Sequence, residues 1–157
     1  MKLVDIICTE AIVPRLESTE RDDVIHELIR SLHENKKIGK IPPKKLAVAV
    51  IKRENEASTG IGKGVAVPHV KHDEISEPIA VIGCSPGGIE FVSLDKQPVY
   101  SVFLLLSPGK DPDKHLQAME TIFKNLQKDD FRRFLRQAQT QEDVLEAIKD
   151  TDESSAE

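Results

Sequence analysis

Ser58-Thr59-Gly60-Ile61-Gly62-Lys63-Gly64-Val65-Ala66-Val67-Pro68-His69 is the stretch on which the reading of this 157-residue chain turns. Its three alternating glycines let the backbone take unusual dihedrals and let another group approach closely. Val65-Ala66-Val67 reads as a short strand that Pro68 ends. Pro68 fixes its own φ and holds Val67 extended. His69 therefore stands at a rigid strand end, a suitable place for a positioned reactive side chain. The glycines do not form a P-loop, because the Gly-Lys-Ser/Thr ending is missing and the run precedes a strand instead of opening a helix. A dinucleotide-binding fingerprint fails for the same reason.

Upstream, Thr19 reads as an N-cap for a helix from about Thr19 to Glu34, with Val24, Ile25, Leu28, Ile29 and Leu32 at helical spacing. Pro42-Pro43 can open a second helix. The body of that helix, Lys45 to Glu54, is ambiguous between helix and buried strand, and the leading prolines with Lys52-Arg53-Glu54 favour helix. Downstream, Ile79 to Cys84 is a strand, Pro86-Gly87-Gly88 a turn, and Ile89-Glu90-Phe91 a short extended piece. Val99 to Leu106 is almost unbroken apolar sequence, which predicts a strand buried on both faces. Asp111-Pro112 caps a helix carrying Leu116, Met119, Phe123 and Leu126. Two shorter helices follow, Asp130 to Ala138 with Phe131, Phe134 and Leu135 inward, and Gln141 to Lys149 with Val144, Leu145 and Ile148 inward. Mixed helices and strands imply an α/β fold, a sheet with helices packed on it. The expected organisation is one domain over residues 1–150 and a flexible acidic tail over 151–157.

Composition narrows the function. Apolar residues make up 39% and charged residues 31%, ordinary for a globular protein. A net charge of −5 argues against a nucleic-acid partner or an anionic membrane surface, since both want a basic patch. No apolar run approaches the roughly 20 residues that span a bilayer. The start, Met1-Lys2-Leu3-Val4-Asp5, lacks the features of a signal peptide, so the expected location is cytoplasmic. Cys8 and Cys84 are far apart and read as buried reduced thiols. With no tryptophan and one tyrosine, a base-stacking platform is not expected.

Arg53-Glu54, Thr59-Gly60-Ile61-Gly62 and Val65-Ala66-Val67-Pro68-His69 together resemble the active-site signature of the fructose/mannitol/nitrogen-regulatory class of enzyme IIA (type 2) of the phosphoenolpyruvate-dependent phosphotransferase system. Gly88-Ile89-Glu90-Phe91 leading through Asp95 to Pro98-Val99, then Phe103-Leu104-Leu105-Leu106, resembles the family's central region. His115-Leu116 resembles its second active-site histidine. The likeness runs in order over roughly residues 3 to 148. It implies a mixed sheet flanked by helices, and a chain phosphorylated at the tele nitrogen of His69 with His115 and Arg53 around the phosphoryl group. It also implies an HPr-like phosphocarrier as donor, and a IIB component or a regulated target protein as the onward partner. No cofactor or metal is implied. A regulatory protein acting by phosphorylation-dependent binding, and a binding module that has lost phosphotransfer, are the competing readings. The residue after the histidine is usually small in this family. Here it is Val70, whose branched side chain either narrows access or changes partner choice.

These residue types suit the chemistry. A neutral imidazole attacks phosphorus near neutral pH. Transfer between two proteins leaves the carrier chiefly with positioning and charge stabilisation. Arg53 offers a planar, permanently charged fork for phosphoryl oxygens. His115, in the first turn after Asp111-Pro112, should be held neutral by the helix dipole and act as a hydrogen-bond donor. His69 and His72 have a His-x-x-His spacing, but no Cys or carboxylate set with ligand spacing accompanies it. Lys71 and His72 read as rim residues. His26 and His33 share a helix face and read as surface or boundary residues.

Overall fold

A computed structural model describes residues 1–91, 93 and 95–155. Its centre is strand β5, Val99–Pro108, every residue of which is buried except the half-buried Tyr100. The apolar run predicts this, because a strand covered on both faces needs no polar alternation. Strand β4, Ile79–Ile89, lies antiparallel along one edge of β5. Strands β2, Val65–Ala66, and β3, His69–His72, lie parallel along the other. Ala66 stands opposite Val102 and His69 opposite Leu105, so the register is unchanged from β2 to β3. The two are one strand interrupted at Val67-Pro68. Proline supplies no N–H to the ladder. The Pro68 carbonyl still accepts from Leu105 N at 2.9 Å, while Val67 N turns away to the Thr59 carbonyl at 3.2 Å.

The glycine run itself forms strand β1, Gly60–Gly62, antiparallel to β2. Lys63 and Gly64 connect them with φ of 59° and 77°. Two consecutive positive φ values are what a two-residue type I′ hairpin demands. The sequence reading found only a break here, because β1 is too short to show alternation.

Helices cover both faces of the mixed sheet, as the resemblance implies. Helix α1 is Leu3–Ile6, α2 is Arg21–Glu34 and α3 is Pro43–Glu56. Helices α4, α5 and α6 span Pro112–Leu126, Asp129–Gln137 and Gln141–Ser155. Leu28, Ile29, Leu46 and Val50 of α2 and α3 pack with Leu104 and Leu106 on one face. Ala118, Ile122, Phe131 and Leu135 pack with Phe103 and Leu105 on the other. Among the described residues no helix is long and apolar enough to cross a membrane. Cys8 and Cys84 are free, buried and in opposite cores. Burial pushes the Cys84 thiol up to about 12, so it is an inert core residue.

Several expectations are corrected. Thr19 does not cap α2, whose N-cap is Glu20. Thr19 and Glu20 are held extended by a bridge to Glu90, with Glu90 N donating to the Thr19 carbonyl at 3.2 Å. The Pro86-Gly87-Gly88 segment does not end its strand. It is a bulge within β4, for between Cys84 and Ile89 the partners step only from Ser101 to Val99. Phe134, expected inward, is 41% exposed, and Leu116 of α4 is 57% exposed.

The acidic tail expected from residue 151 is helical as far as Ser155, with Thr151 and Asp152 buried; residues 156–157 lie outside the described residues. Asp152 is held by distant chemistry that periodicity does not show. Its carboxylate accepts from Leu3 N at 2.8 Å and Val4 N at 3.0 Å, capping the otherwise unsatisfied start of α1. Lys128 Nζ adds bonds to the Thr151 carbonyl and the Ser154 hydroxyl, each 3.0 Å. Replacing Asp152 with alanine should cost about 2 kcal/mol, the worth of hydrogen bonds to a charged group. That corresponds to a fall in Tm of about 4–8 °C for a chain of this size. An unchanged thermal melt would show that the clasp contributes nothing.

Candidate active site

His69 opens β3 directly after the Pro68 break, where its imidazole is half-buried. Its Nδ1 lies 2.8 Å from the Val67 carbonyl. A carbonyl can only accept, so Nδ1 carries the hydrogen and Nε2 carries the lone pair. The break explains the contact, because it leaves the Val67 carbonyl free of a ladder partner beside the ring. Burial holds His69 below its ordinary 6.5; the Val67 bond and Glu54 oppose that shift, while Arg53 and Lys71 add to it. The ring is therefore neutral, and Nε2 nucleophilic, through the whole neutral range.

His115 comes from the first turn of α4, which Asp111 caps by accepting from Lys114 N at 3.2 Å. The two imidazole centroids are 5.6 Å apart. Ser107, fully buried near the end of β5, places its Oγ 2.7 Å from His115 Nδ1. With the hydroxyl donating to Nδ1, His115 presents N–H at Nε2, the arrangement needed to donate to an oxyanion. His115 is held below 6.5 chiefly by burial, and then by His69 and Lys71. The sequence reading assigned its neutrality to the helix dipole; burial leads instead.

Arg53 lies in the last turn of α3, half-buried. Its Nη1 donates to the Ala57 carbonyl at 3.1 Å and bonds neither imidazole, though its charge reaches His69. Beside it Glu54 is only 2% exposed. The Glu54 carboxylate accepts from Thr59 N at 2.8 Å and from the Thr59 hydroxyl. That pairing fixes Thr59, whose carbonyl in turn holds Val67 N. A chain of bonds thus runs from the end of α3 to the strand end that carries His69.

The structure thus brings His69 and His115 together and puts Arg53 within electrostatic reach. The sequence reading missed Ser107 and the Glu54–Thr59 pairing. Ser107 left one signal, a hydroxyl closing an otherwise apolar buried strand. Val70 neither crowds His69 nor lines the site. Side chains alternate along a strand, and Val70 packs into the α2/α3 core while His69 faces α4. By the same alternation His69 and His72 point to opposite faces and do not form a common ligand pair.

The family model described as "Phosphoenolpyruvate-dependent sugar phosphotransferase system, EIIA 2" matches residues 5–151, and the chain belongs to that family. It is 31% identical over 153 residues to the fructose-specific EIIABC component of Bacillus subtilis, covering 97% of this chain and 24% of that one. The chain thus spans about a quarter of that relative's length. It is 35% identical over 113 residues to the nitrogen regulatory protein of Escherichia coli, covering 71% of this chain and 69% of that one. The crystal structure of nitrogen regulatory protein IIA-Ntr from Neisseria meningitidis superposes with a TM-score of 0.82 at 22% identity, over 92% of this chain and 97% of that one. That likeness is one of fold.

Proposed function

We propose that this chain is a phosphoryl carrier that accepts a phosphoryl group from a phosphorylated HPr-like protein on His69 Nε2 and passes it to a IIB component. The observation that carries the reading is the 2.8 Å contact between His69 Nδ1 and the Val67 carbonyl, beside His115. The Nε2 lone pair forms the new N–P bond as the donor's N–P bond breaks, and that electron pair returns to the donor imidazole. No proton or electron is exchanged with solvent. The ring gains positive character as the bond forms, and the Val67 carbonyl stabilises it through Nδ1–H. His115 donates from Nε2 to a phosphoryl oxygen, and Arg53 adds a cation. Delivery to IIB reverses these steps, and the name of the B. subtilis relative couples A with B and C.

A regulatory role is the second reading. It is favoured by the nitrogen regulatory relative, to which this chain is 35% identical over 113 residues. Incubation with phosphoenolpyruvate, enzyme I and HPr, followed by mass spectrometry of acid-labile phosphate, tests the carrier role. A second step with purified IIB domains separates the two. Onward transfer supports transport, whereas stable phosphorylation with no transfer to any IIB supports regulation.

Arg53→Lys should not behave as a conservative change. Lysine keeps the charge but loses the planar fork that can hold two phosphoryl oxygens. Quench-flow transfer from phosphorylated HPr should be slower in Arg53→Lys, and slower still in Arg53→Ala, with unchanged thermal melts. Equal rates in all three proteins would remove Arg53 from the site.

A further inference from the structure

We propose that Lys71 is the cation that balances the phosphoryl group on His69, its ammonium moving onto the phosphoryl oxygens once the group arrives. The proposal rests on the carrier reading and goes beyond it by naming a residue to which neither the signature nor the family comparison gives a role.

Placement comes first. Strand alternation puts Lys71 on the same face of β3 as His69. The ladder sets Lys71 directly opposite Ser107, whose hydroxyl holds His115. Lys71 thus stands beside one histidine and across from the anchor of the other. Its charge is felt at both rings.

Availability comes second. Lys71 is exposed and has no hydrogen bond or ion pair among the described residues. The nearby cations are engaged: Arg53 bonds the Ala57 carbonyl, and Lys114 is 2.6 Å from a Glu77 carboxylate oxygen. A lysine stem is flexible enough to swing its ammonium as a mobile point charge.

Charge balance comes third. A phosphoryl group carries close to two negative charges at neutral pH, and the ring that keeps its Nδ1–H offsets one of them. Arg53 supplies one positive charge, but the carboxylate of Glu54 acts on His69 in the opposite sense. His115 is neutral and offers a hydrogen without a charge. Of the groups whose fields reach both imidazoles, Lys71 supplies the net positive charge that the site otherwise lacks.

The test is the phosphoryl exchange equilibrium with phosphorylated HPr, measured for the wild type, Lys71→Ala and Lys71→Arg by quantifying both phosphoproteins. Lys71→Ala should lower the equilibrium constant by about tenfold, the scale of one charge-assisted hydrogen bond. Lys71→Arg should restore it, and high salt should shrink the difference. In the unphosphorylated proteins, NMR titration should show His69 and His115 protonating at higher pH in Lys71→Ala. Equal exchange constants in all three proteins overturn the proposal. A loss that arginine does not rescue overturns it too, since that would reflect shape and not charge. If the wild type takes no phosphoryl group from HPr, the carrier reading itself has failed. That outcome is recognisable because HPr stays fully phosphorylated with every variant.

Discussion

His69→Ala should abolish uptake of the phosphoryl group from phosphorylated HPr and leave the fold intact. The expectation follows from how little else depends on the ring. The side chain is half-buried, and among the described residues its one hydrogen bond goes to the backbone carbonyl two residues before it. Removing it leaves one carbonyl without its partner, so the thermal melt should shift by no more than a few degrees. Wild-type protein should carry acid-labile phosphate at Nε2, and His69→Ala none. Acceptance should also hold its rate down to about pH 6.5, because burial lowers the pKa and the lone pair is lost only below it. Undiminished labelling of folded His69→Ala would falsify the assignment. A rate that already halves above pH 7 would contradict the buried, neutral ring.

His115→Ala should still become phosphorylated, but about 10²–10³ times more slowly in both directions, the usual cost of one oriented electrostatic donor. The ring has what such a donor requires. It is neutral, its Nδ1 is fixed by a buried serine, and its centroid lies 5.6 Å from that of His69. Because the donor acts on the group in transit, forward and reverse rates should fall together with little change in equilibrium. Wild-type rates in both directions would remove His115 from the chemistry. Slowing in one direction only would mean that it acts on partner docking.

The sequence displays the core elements of the fold because each buries a regular face. Val24 to Leu32 recur at helical spacing, and Val99 to Leu106 have no polar break, so α2 and β5 are legible by pattern alone. Elements whose cause lies elsewhere in the chain are not. Strand β1 exists because β2 is there to pair with it, and α1 is capped by a carboxylate near the far end of the sequence. Thr19 shows the opposite case, a good local capping residue whose backbone a distant strand holds extended. The site divides along the same line. His69 is legible as a positioned side chain because a proline-ended strand is a local feature, whereas His115 is marked by the family resemblance. Ser107 meets His115 only once β5 and α4 have packed.

The atom that fixes the tautomer of His69 belongs to the main chain. Every amino acid encoded at position 67 supplies that carbonyl, so no single codon change can delete it. The anchor of His115 is a side-chain hydroxyl and enjoys no such protection. Under relaxed selection the two histidines should therefore decay differently: the first keeps its orientation for as long as Pro68 preserves the break, while the second loses its setting with one substitution at Ser107. A lineage that loses Ser107 would keep an oriented His69 and exchange the phosphoryl group slowly in both directions.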